Sequence, residues 1–389
     1  MDNNQKIPPE LTAACGISLV LYLGSYMRIP LVPLLAGRLG ASTSEVGWIG
    51  AASMFAAAFL SFPLGLMSDR IGRRLLILSG VAVSCMTSVL LPAARAPLHI
   101  GLIYLFSGVG LACFSPAMMS HVADIVPARF LGRAYGWYTA AIYAGMALGP
   151  GIGGAIGSRG FGAAFAASAL IVGSAIPLFF LRIGPRSDKS TRARSGGSPL
   201  PDLREVVRTP AVLACWTTTF FSSYAWGSLL SFFPLYARDA GISLVHTGLI
   251  FTAQAATNAL FRIPAGHMLD RGGERRLFFL GGTTLFGSCI ALTGAFRGEF
   301  PLYLLFAAVG ASMAVTFTAV GTVLSESVAI RVRGLAMGGY NTCIYGGFMA
   351  SAAVTGIVME RWGYAAGFAS AGLACIVSTT VAWLPRRTR

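Results

Sequence analysis

Acidic residues are scarce in this chain: 14 Asp and Glu among 389 residues, with charged residues of both signs making up only 11%. None of the fourteen falls in the middle of an apolar run, where a cation-selective intramembrane site would want one. Histidine is rarer still, with four copies, and no His/Asp/Glu cluster or nucleophile–base pair is present, so neither a metal site nor an enzyme is expected. The seven cysteines (Cys15, Cys85, Cys113, Cys215, Cys289, Cys343, Cys375) all fall in or at the ends of apolar runs without metal-ligand spacing. Disulfides, zinc and any other cofactor are therefore not expected. The first ten residues are polar and lack the basic segment and cleavage site of a secretory leader, which predicts that the first apolar run stays as a helix.

What is abundant is apolar. Hydrophobic residues make up 55%, glycines number 48, and the mean hydropathy is +0.70, so the expected solvent is a lipid bilayer. A helix crosses a hydrocarbon core of roughly 30 Å with about 20 apolar residues, and only helices or closed barrels satisfy their backbone there. Windows of that length predict twelve spans, near 11–36, 44–67, 75–94, 98–124, 132–158, 161–183, 209–236, 244–269, 277–296, 300–326, 334–359 and 363–385. The formal net charge of +15 could suit a nucleic-acid binder, but the placement of the basic residues excludes that partner. With both termini assigned to the cytoplasm, 21 of the 29 Lys and Arg lie inside, six lie outside (Arg38, Arg95, Arg159, Arg238, Arg297, Arg361) and two lie within spans. The positive-inside rule therefore predicts a multi-pass protein with cytoplasmic termini, expected in a bacterial inner (plasma) membrane.

Residues 184–208 are rich in Arg, Lys, Gly and Pro and nearly free of apolar runs, which predicts a cytoplasmic linker between a six-helix half at 1–183 and another at 209–389. Shifting the chain by 201 places Gly47, Pro63, Gly65, Met67, Asp69, Arg70, Gly72 and Arg74 on Gly248, Pro264, Gly266, Met268, Asp270, Arg271, Gly273 and Arg275. A shift of 202 places Val126, Arg129, Gly132, Ala134, Gly136 and Tyr138 on Val328, Arg331, Gly334, Ala336, Gly338 and Tyr340, and Asp124 on Glu326. The halves read as two copies of one unit. Because each holds an even number of spans, both enter the membrane with the same orientation, the arrangement of parallel-repeat transporters.

The loop Gly65-Leu66-Met67-Ser68-Asp69-Arg70-Ile71-Gly72-Arg73-Arg74 resembles the signature between spans 2 and 3 of the major facilitator superfamily. The copy at Gly266–Arg276 is similar but degenerate, with Glu274 where the first has Arg73. The resemblance implies an all-α fold of twelve transmembrane helices, as two parallel six-helix repeats around a central cavity, and an alternating-access transporter without cofactors. It also implies a gating role for Asp69, Arg70, Arg73, Asp270 and Arg271. Asp124, Arg129 and Arg133, with Glu326, Arg331 and Arg333, stand at the cytoplasmic ends of spans 4 and 10 and are the expected bridge partners.

In span 5, Gly145, Gly149, Gly153 and Gly157 recur every fourth residue beside Pro150 and Gly154, a small-residue ridge for close helix packing. The embedded Gly149-Pro150-Gly151-Ile152-Gly153-Gly154 matches a dinucleotide fingerprint only formally, since no strand precedes it. The run Gly145–Gly154 resembles the span-5 motif of family antiporters, many of them drug exporters.

The two copies differ most in span 8. Gln254, Asn258 and Arg262 line one helix face over roughly 12 Å of axis, where span 2 carries Ser53, Ala57 and Ser61. An intramembrane Arg costs about 2.5 to 3.5 kcal/mol on insertion scales, so this stripe is expected to face a wet cavity. Arg28 in span 1 is the second intramembrane cation, and its repeat partner is Leu229. The segment Arg262-Ile263-Pro264-Ala265-Gly266 is similar to that of family members carrying monocarboxylates, in which the equivalent Arg binds the carboxylate. Where drug–proton antiporters carry a span-4 Arg, this chain has Tyr104. Tyr22, Tyr26, Asn341 and Tyr345 are further candidate ligand contacts. The expectation is a monomeric secondary transporter of a small organic anion, with protons as a candidate coupling ion. The alternative is a proton-coupled efflux antiporter for drugs or amphipathic metabolites.

Overall fold

The computed structural model describes residues 9–127, 130–182, 200–270, 275–329 and 332–383. Span 1 is two helices, α1 (Pro9–Met27) and α2 (Val32–Arg38). Pro30 and Pro33 each lack an N–H, so the chain tightens into a turn here, with Leu31 and Val32 both donating to the Arg28 carbonyl at 3.1 and 2.9 Å. Then follow α3 (Thr43–Ile71), α4 (Arg73–Leu90), α5 (Pro97–Ile125) and α6 (Leu131–Gly157). Span 6 is also divided, into α7 (Phe161–Gly173) and α8 (Ala175–Arg182). The end of the expected linker folds as a short helix, α9 (Leu200–Arg208), whose Val206 is fully buried among Val212, Cys215 and Phe279. That one apolar anchor sits among charged residues that dominate the linker's composition. The second copy continues with α10 (Pro210–Asp239), α11 (Leu244–Asp270), α12 (Arg275–Thr293), α13 (Glu299–Glu326) and α14 (Arg333–Trp383). In α14 spans 11 and 12 are divided at Gly363, whose φ of 81° favours glycine. Among the described residues no strand occurs, and seven helical segments are long and apolar enough to cross a membrane, one of them the 49-residue Leu335–Trp383.

Residues on the outside of the helices are as apolar as those within: Leu98, Leu170, Leu181, Leu260 and Phe300 are all exposed. In lipid this is the expected pattern, and it removes the hydrophobic drive for helices to associate, so packing falls to small residues and interhelical hydrogen bonds.

By spatial contact the chain forms two compact units. Unit 1 comprises Met1–Leu39, Phe55–Thr191 and Ser243–Thr252; unit 2 comprises Gly40–Met54, Arg192–Ile242 and Ala253–Arg389. Each unit thus includes the opening turns of one helix from the other sequence copy. Glycine explains both grafts. In unit 2 a Cβ at Gly47 would strike the Ala352 carbonyl, and one at Gly356 would lie 3.2 Å from Ser44 Cα. In unit 1 a Cβ at Gly248 would strike the Pro150 carbonyl, and one at Gly154 would meet the Leu244 carbonyl. The positions Gly47 and Gly248, Ala352 and Pro150, and Gly356 and Gly154 are repeat partners under the shifts of 201 and 202, so the duplication governs tertiary packing as well as sequence. The turns behave alike, since Gly40 (φ 86°) and Gly241 (φ 79°) are also repeat partners.

Candidate functional site

In unit 2 the polar stripe of α11 is turned largely toward α13. Asn258, 3% exposed, donates from Nδ2 to the Gly310 carbonyl at 3.2 Å and accepts on Oδ1 from Arg262 Nε at 3.0 Å. Gln254 Nε2 lies 3.5 Å from Met313 Sδ. The α11 and α13 backbones come together at Gly310, where a Cβ would collide with the Gln254 carbonyl and Thr257 Oγ1. Gln254 and Asn258 therefore sit in a helix interface and not on the wet face expected of them, because the carbonyl exposed by Gly310 offers the amide a partner. Arg262, half-buried, extends from that anchor.

In unit 1 Arg28 occupies the span-1 turn, only 2% exposed, and its Nη1 donates to Thr87 Oγ1 at 2.9 Å. Tyr22 is buried in the core with Leu21, Val81 and Phe114, its ring 6.5 Å from that of Phe114 and 6.4 Å from that of half-buried Tyr26. In α14 of unit 2, Asn341 is exposed and Tyr345 half-buried.

At the start of α4, Arg73 forms an ion pair with Asp124 near the end of α5 and donates to the Ser120 carbonyl at 2.9 Å. Glu326 ends α13 and is exposed. Arg129, Arg271 and Arg331 lie outside the described residues, as do the side chains of Asp69, Arg70, Arg133, Asp270 and Arg333.

The glycine ridge of α6 lies on α1 in unit 1. A Cβ at Gly145 would be 2.6 Å from the Leu19 carbonyl and one at Gly149 2.7 Å from the Leu23 carbonyl. At Gly153 it would strike the Met27 carbonyl, and at Gly157 it would reach Leu31. Pro150 presents its carbonyl to Gly248 on the neighbouring face. Thr87, Ser120, Gly310 and Met313 were not singled out from the sequence. Each is a partner distant along the chain, and none stands in a motif.

Among the described residues no group of three or more His, Cys, Asp and Glu is placed to hold a metal. The profile of the Major Facilitator Superfamily matches residues 14–251 and 215–389. Multidrug resistance protein 2 of Bacillus subtilis (strain 168) is 24% identical over 67% of this chain and 67% of its own length. The class G tetracycline resistance protein of Vibrio anguillarum is 29% identical over 81% of each chain. The solved structure of a bacterial homolog to the human lysosomal transporter Spinster, inward-facing and unoccupied, superposes with a TM-score of 0.79 at 14% identity, covering 97% of this chain and 96% of that one.

Proposed function

Since this chain belongs to the Major Facilitator Superfamily, and so is an integral, multi-pass membrane transporter and not an enzyme, we propose that it exports small amphipathic molecules by alternating access. The observation that carries this reading is the run Gly145–Gly154, which resembles the exporters' span-5 motif and is realised as a backbone-on-backbone seam between α6 and α1. The similarity to proteins named for multidrug and tetracycline resistance supports it. In this reading the proton gradient drives export, the termini are cytoplasmic, the membrane is the bacterial inner membrane and the chain works as a monomer. Its two halves are 1–183 and 209–389. The Arg73–Asp124 pair, with Asp69, Arg70, Arg129, Arg133, Asp270, Arg271, Glu326 and Arg331, forms the cytoplasmic latch.

A second reading, transport of a carboxylate-bearing solute, is favoured by one observation: Asn258 Oδ1 accepts from Arg262 Nε and so orients a planar guanidinium, the group best matched to a carboxylate. Here Tyr26, Asn341 and Tyr345 complete the substrate contacts, while Gln254, Tyr22 and Arg28, all buried, take no direct part. The experiment that separates the readings is proteoliposome transport of a fluorescent amphipathic cation and of radiolabelled monocarboxylates, with and without an imposed pH gradient. Gradient-dependent movement of the cation supports export of amphipathic compounds; movement of the carboxylates alone replaces it with the anion reading.

A further inference from the structure

We infer that the buried guanidinium of Arg28 and the hydroxyl of Tyr104 hold a small inorganic anion of halide size inside unit 1. The inference is independent of the substrate and of the direction of transport.

Arg28 lies at the break between α1 and α2, almost wholly removed from the surface. Its Nη1 is used by Thr87, a neutral acceptor whose own proton goes to the Ser84 carbonyl at 2.9 Å. Its Nε is buried without any acceptor. Among the described residues the ionisable groups that act on it are Tyr104 and Cys85, neither of them a carboxylate. Cys85 Sγ already faces the Ala169 carbonyl at 3.4 Å, while the Tyr104 hydroxyl meets no acceptor among the described residues. Arg28 thus carries a full positive charge and a buried donor without an acceptor, lies within electrostatic reach of the Tyr104 hydroxyl, and has no anionic partner among the described residues. Arginine cannot escape by losing its proton, and an uncompensated charge away from water is strongly unfavourable. The other intramembrane arginine differs, since Arg262 has the Asn258 amide oxygen.

The second sequence copy shows that packing alone does not demand these groups. The repeat partners of Arg28 and Tyr104 are Leu229 and Phe306, both fully buried. Cation and hydroxyl are therefore present together in one copy and absent together in the other, as expected for a pair with one ligand. The near-complete burial of Arg28 limits that ligand to a compact ion. An organic carboxylate would need the helices to part.

The test uses purified full-length protein, with thermal unfolding in sodium chloride, sodium bromide or sodium gluconate at equal ionic strength, and with binding of radiolabelled chloride. A ligand bound only by the folded state raises the melting temperature in a saturable manner. Chloride and bromide are expected to do so and gluconate not. Arg28→Gln abolishes the dependence. Tyr104→Phe, which keeps the charge and fills the same space, weakens halide affinity about tenfold. Arg262→Gln leaves it unchanged. Equal stability of the wild type in all three salts overturns the proposal, as does wild-type chloride affinity in Tyr104→Phe or loss of the dependence in Arg262→Gln. If Arg28→Gln does not fold, Tyr104→Phe with radiolabelled chloride decides alone.

Discussion

Arg73 and Asp124 form an ion pair whose members have unequal surroundings: the Arg73 side chain is 14% exposed and that of Asp124 is 49% exposed. A pair half open to water contributes about 1 kcal/mol or less to stability, so the latch role proposed for it rests on its favouring one conformation over another. Asp124→Asn is expected to insert and melt like the wild type, within a few degrees, yet to transport several-fold more slowly, with part of the rate regained in Arg73→Gln/Asp124→Asn. Paired transport and melting measurements check this, and a normal rate in Asp124→Asn removes the latch. At Arg262 the expectation concerns ligand charge. Should the substrate be a carboxylate, affinity falls in the order Arg, Lys, Gln, because Lys keeps the charge but not the planar fork. Loss of the pair in Arg262→Gln corresponds to about 2 to 5 kcal/mol, roughly thirtyfold or more in binding, measured on the identified substrate at fixed salt. An amphipathic cation should bind Arg262→Gln at least as well as wild type.

Helices here meet through glycines that place backbone against backbone. Gly149→Leu forces side-chain atoms into the Leu23 carbonyl and Tyr26 Cβ, and Gly153→Leu forces them into the Met27 backbone, so α6 must move off α1. Overpacking of this kind costs about 1 to 3 kcal/mol and is expected to abolish transport in both variants; full activity in both would mean that the seam is not needed. The repeat supplies an internal control. Gly47→Leu and Gly248→Leu strike the equivalent carbonyls of Ala352 and Pro150, and their losses of thermal stability should match each other, while Gly136→Leu, whose Cβ meets nothing within 4 Å, should be close to neutral.

At the scale of the whole molecule, a segment from one sequence copy is tied to the other by a carboxylate at the end of span 11. Glu360 Oε2 accepts from the Ser44 backbone N–H at 3.0 Å, near the start of α3. Hydrogen bonds from the Ser44 side chain, and then from its backbone N–H, hold the Glu360 carboxyl below its ordinary 4.5. A depressed carboxyl contributes stability that is fully present above its unfolded value and fades as pH falls through the folded one. The tie is thus complete at neutral pH and loosens below about 4.5. Glu360→Gln is expected to flatten the acid limb of a melting-temperature profile and to leave the neutral value nearly unchanged, since the group is solvent-exposed; an acid limb identical to wild type would show that the tie is not felt.

Composition and periodicity determine much of this protein, because a bilayer leaves so few solutions. The twelve apolar windows became helices close to where they were expected, and the repeat partners Gly47 and Gly248 are locally readable since the same backbone constraint was copied with them. The motif at Gly65–Arg74 carried the family. The partners were decided by tertiary structure. Gln254 and Asn258 read as cavity-facing because their spacing gives a helix face but not a direction, and it was the bare carbonyl at Gly310, 52 residues from Asn258, that drew the stripe into an interface. Arg28 and Thr87 lie 59 residues apart, with nothing in either local sequence to announce the other. An orphaned guanidinium nitrogen shows itself only once every neighbouring acceptor has a place, since burial and satisfaction are properties of the surroundings and not of the residue.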